Sequence, residues 1–341
     1  MIDLRSDTVT RPTPEMYLAI CSAPLGDDLL GDDPTVIRLQ EMAAERLGKE
    51  AALFVPSGMM GNILAVKVSA RPGDTVVCER RAHLYVTGCI ATASANPAVM
   101  TGDRYGRLDF GELALALKPD SHSDLASLLC LENSFNGAGG TALPAAYIAG
   151  AADLAHARGV PVHLDGARLF NAAVALGVEA AELAKPVDTI MFCISKGLSS
   201  PVGSLLCGPR DLIEKAHRLR YMQGGAMRQA GILAACGIVS LERMVDRLAE
   251  DHANARLLAE GLAQIEGITV DLDVVQTNLV YFETAGAGIA AATLESRLEQ
   301  QGVSVIAVGP TTVRVVTHKD VSRQDCVAAL EIITRTLDEL R

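Results

Sequence analysis

The sequence predicts an α/β fold, with a mostly parallel sheet in a large domain and a small C-terminal α+β domain. Three observations lead there. Short apolar runs alternate with helical segments from residue 51 onward, as in strand–helix–strand units covered on both faces. Two of those runs, 160–165 and 189–194, are apolar enough to be buried throughout. After a long helical stretch the pattern changes to short strands and helices. The expected division is therefore 1–245 and 246–341, with residues 1–15 contributing to the site of the large domain.

The elements follow in order. Residues 1–15 read as extended, broken by Pro12 and Pro14. Residues 35–48 read as an amphipathic helix capped by Asp33, with Pro34 in its first turn. A strand at 51–55 turns through Pro56-Ser57-Gly58 into a helix over 59–70. Strands are expected at 75–78, 128–131, 160–165, 189–194 and 203–207, and helices at 145–158 and 212–218. The helical stretch covers 227–265. Beyond it come strands at 279–282, 303–307 and 312–316 and helices at 290–301 and 323–340. Ligands of such sheets bind beyond the carboxyl ends of the strands.

The chain has 30 basic and 41 acidic residues, a formal charge of −11, which argues against nucleic acid as a main partner. No apolar run reaches membrane-spanning length, and the first residues do not form a signal peptide, so a cytoplasmic protein without a membrane partner is expected. The eight cysteines lack any Cys-x-x-Cys pair, so buried reduced thiols are expected rather than disulfides or a zinc site. Asp7, Asp27, Asp28, Asp32 and Asp33 form an acidic group, for which turn and cap roles are expected and no metal.

Lys196 ends an apolar strand in Ser195-Lys196-Gly197, where an amine is desolvated yet reaches a ligand. Desolvation disfavours the ammonium form and makes such an amine nucleophilic. Asp165 ends the preceding strand in Asp165-Gly166-Ala167-Arg168. Pyridoxal phosphate needs this combination: a lysine to hold its aldehyde, and a carboxylate to keep its pyridine nitrogen protonated. Ser57, Gly58 and Met59 open a helix after a strand, where free amides and the helix dipole hold a phosphate. His83 follows the 75–78 strand and either stacks on the cofactor ring or moves protons. Arg168 reaches a cofactor oxygen or a substrate carboxylate. Arg314, flanked by valines, is costly to bury unless paired, and a ligand carboxylate is a plausible partner beside the alternative of an outward-facing position.

Further motifs carry a resemblance. Leu4-Arg5-Ser6-Asp7-Thr8-Val9-Thr10-Arg11-Pro12, Gly26-Asp27-Asp28-Leu29-Leu30-Gly31-Asp32-Asp33-Pro34 and Leu131-Glu132-Asn133 stand in one order with Asp165-Gly166-Ala167-Arg168 and Ser195-Lys196-Gly197-Leu198. Gly224-Gly225-Ala226-Met227-Arg228-Gln229 and Val313-Arg314-Val315-Val316 follow them. The set resembles the low-specificity L-threonine aldolases over nearly the whole chain. The resemblance implies a fold-type-I pyridoxal-phosphate enzyme that splits β-hydroxy-α-amino acids into glycine and an aldehyde. It implies a homotetramer, a dimer of dimers with sites shared between subunits. Lys196 then holds the aldehyde, Asp165 partners the pyridinium and His83 stacks on it. Ser6, Arg168 and Arg314 match substrate-carboxylate contacts, and Arg228 a phosphate contact from the neighbouring subunit.

Some positions depart from the family pattern. Phe135 replaces a histidine near the substrate hydroxyl, Leu30 a tyrosine and Gly88 a glutamate, while Met59, Met60 and Tyr221 replace more polar residues. Loss of polar groups from one pocket points to a bulkier or aryl β-substituent. The competing readings are a changed reaction on the same cofactor (racemisation, transaldol exchange or β-elimination) and a binding scaffold without turnover.

Overall fold

The computed structural model describes residues 1–117 and 126–341. Its strands are β1 (Ile2–Asp3), β2 (Ala51–Val55), β3 (Thr75–Glu79), β4 (Asn96–Met100), β5 (Leu128–Glu132) and β6 (Val162–Gly166). They continue with β7 (Thr189–Cys193), β8 (Ser204–Gly208), β9 (Leu279–Glu283), β10 (Val303–Ser304), β11 (Ile306–Ala307) and β12 (Thr312–Val316).

A seven-stranded sheet runs in the order β2-β8-β7-β6-β5-β3-β4. Strands β4, β3, β5, β6 and β7 pair in parallel, while β8 runs antiparallel to both β7 and β2. Every residue of β5, β6 and β7 is buried, as a sheet covered on both faces requires. The apolar core between sheet and helices includes Phe54, Leu129, Leu164, Ile190 and Phe192 on the strands and Leu39, Ile148 and Leu248 on the helices. Gly203, which leads into β8, has φ of +112°, and a Cβ there would lie 2.4 Å from the Phe54 ring. Only glycine fits both the backbone and the ring.

A second core gathers Leu258, Leu262, Phe282, Leu294, Val313, Val315, Ile333 and Leu337 around the antiparallel sheet β11-β12-β9. Leu4 joins this core, and β1 pairs in parallel with β10. The N-terminal segment thus packs on C-terminal elements before crossing to the large sheet.

Several expected elements change shape. Pro14 opens the helix Pro14–Ser22, capped by Thr13, because a proline without an N–H costs nothing in a first turn. The stretch 227–265 divides into helices Gly231–Arg243 and Leu248–Leu262, with Met244, Val245 and Leu248 buried at the break. Packing sets that bend, since no glycine or proline marks it. Residues 303–307 form β10 and β11, which pair with different strands. Strand β4 went unread because it contains Pro97, and it lies at the edge of its sheet, where proline is tolerated.

Candidate active site

The carboxyl ends of β2, β3, β5, β6 and β7 lie at one edge of the large sheet, with the start of β8. A cavity of about 350 Å³ opens there, within the range of small-molecule sites. Its walls include Ser57, Gly58, Met59, His83 and Lys196. Thr8, Asn62, Ala167, Met191, Cys193, Ser195 and residues 201–203 complete it. Asp165 and Arg168 stand immediately behind this wall, two residues before Ala167 and one residue after it, and both are buried.

Ser57 caps the helix Gly58–Ser69, its Oγ accepting from Met60 N at 3.2 Å. A Cβ on Gly58 would meet Cys193 Sγ at 2.8 Å, so the glycine lets the helix start sit against β7. Lys196 is half-buried, and its carbonyl accepts from Thr10 Oγ1 at 2.9 Å and from Ser199 N at 2.8 Å.

Asp165 is fully buried. Its Oδ2 accepts from Asn62 Nδ2 at 2.8 Å and its Oδ1 from Ala167 N at 3.0 Å. His83 Nδ1 lies 3.9 Å from Asp165 Oδ2 and has no hydrogen-bond partner among the described residues. Burial pushes the His83 imidazole below its ordinary value of 6.5, with Lys196 and Arg168 acting in the same direction and Asp165 opposing. Glu132, level with Asp165 on the neighbouring strand, accepts from His83 N at 2.6 Å and from Asn136 N at 2.8 Å. Burial first, and then the nearby Asp165 charge, push its carboxyl up to about 8.

Arg168 is clamped by Asp7. Its Nε donates to Asp7 Oδ2 at 2.8 Å and its Nη2 to Oδ1 at 2.6 Å. Asn278 Nδ2 also donates to Asp7, at 3.1 Å. Burial would raise the Asp7 carboxyl, but the Arg168 guanidinium and these hydrogen bonds hold it well below the usual carboxylate range. Sequence reasoning gave Asp7 only a turn or cap role. The partner is 161 residues away, and nothing local signals the pair. Asn62 was also missed, although a polar residue in the apolar run of its helix was a visible signal.

Other expected site residues lie apart from this cavity. Ser6 Oγ accepts from Thr8 N at 3.2 Å and caps the turn Asp7–Val9. Arg314 is half-buried on β12, where Nη2 donates to Arg5 O at 3.1 Å and the buried Nε has no partner among the described residues. Arg228 has a 64% exposed side chain and pairs with Asp27 at 3.1 Å. Leu30 is 74% exposed. Gly88 adopts φ of +72°, a conformation that a glutamate would enter only with strain. Phe135 is buried against Ala82 and Ala138, with Gly106 leaving room for its ring and the Arg81 guanidinium 5.7 Å from its centroid. Its side chain therefore turns away from the cavity walls.

Comparison with known proteins follows the same lines. The beta-eliminating lyase family matches residues 3–285. The chain is 43% identical over 328 residues to the low specificity L-threonine aldolase of Escherichia coli (strain K12), covering 95% of this chain and 96% of that one. It is 40% identical over 332 residues to low-specificity L-threonine aldolase 1 of Arabidopsis thaliana, covering 95% and 93%. Among solved structures, the threonine aldolase of Leishmania major superposes with a TM-score of 0.84 at 18% identity, covering 99% of this chain and 100% of that one. That last likeness bears on the fold.

Proposed function

The chain belongs to the beta-eliminating lyase family and, within it, to the low-specificity L-threonine aldolases, and on that premise we propose how it works. It cleaves β-hydroxy-α-amino acids, threonine among them, to glycine and an aldehyde, with pyridoxal 5′-phosphate as cofactor. The observation that carries this reading is a single cavity walled by a lysine, an imidazole and a helix start, with a buried carboxylate behind.

The residues present fit the cofactor. His83 Nδ1, in the cavity wall, is a buried polar atom without a partner among the described residues. When bound, the cofactor withdraws electrons from the substrate's Cα, which lets the Cα–Cβ bond break. Lys196 Nζ holds the aldehyde. Asp165 keeps a proton on the ring nitrogen. Ser57 and the amides of Gly58 and Met59 hold the phosphate at the positive end of their helix. Arg168 and Arg314 fix the substrate carboxylate, with Ser6 beside them, so the scissile bond is held in the orientation for cleavage. His83, in the cavity wall and neutral at pH 7, would stack on the cofactor and could take the β-hydroxyl proton.

Incubation with threonine is expected to release glycine and acetaldehyde in equal amounts, and β-phenylserine should turn over at least as fast beside Met59. Ammonia and a keto acid in place of glycine would instead indicate β-elimination. If His83 is the base, kcat/KM falls as the pH falls through a value below 6.5, because protonation removes the acceptor. His83→Phe should keep the stacking, remove that acid limb and lower the rate by about 10²-fold. An unchanged limb in the variant would reject the assignment.

The site is completed between subunits. Arg228, Leu30, Tyr221 and Met222 are exposed, and the 27–31 turn ties to the 220–228 region through Asp28 N to Arg228 O at 2.9 Å and the ion pair of Asp28 with Arg220 at 2.9 Å. A partner covering this surface brings Arg228 to the neighbouring phosphate and Leu30 to the neighbouring substrate. A homotetramer built from such dimers is the expected assembly. Mixing inactive Lys196→Ala and Arg228→Ala proteins should then restore activity, because mixed dimers contain one intact site. No recovery after subunit exchange would contradict a shared site. The eight free thiols suit a reducing cytoplasm. The same reading assigns residues 1–245 to the cofactor-binding domain and 246–341 to the smaller one, with β1 leaning on the latter.

A further inference from the structure

Behind Asp165 runs a buried polar chain that the reaction as described does not use. His163 and Asp165 are two apart on β6 and so face the same way, toward the helix Gly58–Ser69. Asn62 on that helix spans both: Nδ2 donates to Asp165 Oδ2 at 2.8 Å, and Oδ1 meets His163 Nε2 at 3.0 Å. His163 pairs in register with Thr189 on β7, and its Nδ1 meets Thr189 Oγ1 at 2.9 Å. Asn62, His163, Asp165 and Thr189 are all at most 1% exposed.

The direction of the chain follows from its end. An ionised carboxylate only accepts, so the amide NH₂ of Asn62 must face Asp165 and its oxygen must face His163. His163 Nε2 then carries the hydrogen. Burial pushes the His163 imidazole down to about 4, so it is neutral at pH 7 and Nδ1 is bare. Thr189 O–H donates to it. Three donors in series point toward Asp165, and such chains polarise one another.

We propose that Thr189, His163 and Asn62 are positioning residues whose one-way donor chain holds Asp165 ionised opposite the cofactor's ring nitrogen. This rests on the assignment of Asp165 to that nitrogen. His163 and Thr189 are absent from the cavity walls, and only Asn62, which donates to Asp165, borders the cavity. The chain acts through the charge of one carboxylate.

The test has two arms. Nitrogen-15 NMR of histidine-labelled apoprotein at pH 7 should show His163 with hydrogen on Nε2 and none on Nδ1. A hydrogen on Nδ1 overturns the proposal. In the holoenzyme, His163→Leu should lower kcat by roughly tenfold or more, leave KM within a few-fold and shift the visible cofactor band. His163→Gln, which restores a donor toward Asn62, should recover most of kcat and the original band. Thr189→Val, near-isosteric and distant from the cavity, should lower kcat several-fold if the leucine variant does not fold. A folded leucine variant, or failing that a valine variant, with unchanged kcat and band overturns the proposal. A protein that takes up no pyridoxal phosphate overturns the cofactor assignment instead, and the NMR arm still decides the polarity of the chain.

Discussion

Replacing Asp165 by asparagine is expected to lower kcat by about 10²–10³-fold, the cost of removing one preorganised electrostatic group from a site shielded from water. The substitution keeps the shape of the side chain and removes its charge. A neutral amide cannot hold a proton on the cofactor's ring nitrogen, and electron withdrawal from Cα weakens with it. The fold should survive, because the buried Asp165 rests on Asn62 and the Ala167 amide rather than on a cationic partner within hydrogen-bond reach. KM should change little if the proposed role holds, since that role engages the ring nitrogen and not the substrate. Steady-state kinetics on threonine at saturating cofactor give the answer, and a loss smaller than about tenfold would contradict the role.

The second large effect is on stability. Asp7→Asn removes one half of a buried, doubly hydrogen-bonded ion pair and leaves the Arg168 guanidinium without its counter-charge. Breaking such a pair from one side costs about 3–5 kcal/mol. The variant should unfold at lower urea by that amount, and KM should rise because Arg168 is no longer held for the substrate carboxylate. The pH dependence has a fixed sign. The folded Asp7 carboxyl is depressed below its unfolded value of about 3.9, so its contribution is complete above that pH and is lost as the pH falls toward the folded value. The stability gap between wild type and variant should therefore narrow below about pH 4. A gap that widened in acid would assign the depression to another group.

Much of this site was legible in the sequence because its parts end apolar strands. Asp165 lies near the carboxyl end of β6, Lys196 follows β7 and Ser57 follows β2, so the alternation of strand and helix brings them to one edge. What the sequence hides is tertiary. Asp7 finds Arg168 only after the N-terminal segment has crossed from β1 to the large sheet. The chain reverses through residues 194–203 between β7 and β8, and five residues of apolar strand carry no mark of direction. Phe135 lies beyond the end of β5, where the alternation of faces along a strand no longer tells which way a ring turns. Its position was legible and its orientation was not. Arg228 and Leu30 are the opposite case, singled out by resemblance alone and exposed on the surface of the folded chain.

The central claim is a covalent bond between one amine and the cofactor's aldehyde. Reducing the holoenzyme with borohydride and mapping its peptides should find pyridoxyl on Lys196, and none on a Lys196→Ala protein treated alike. Label on any other lysine, or no label on a protein that still cleaves threonine, would contradict it.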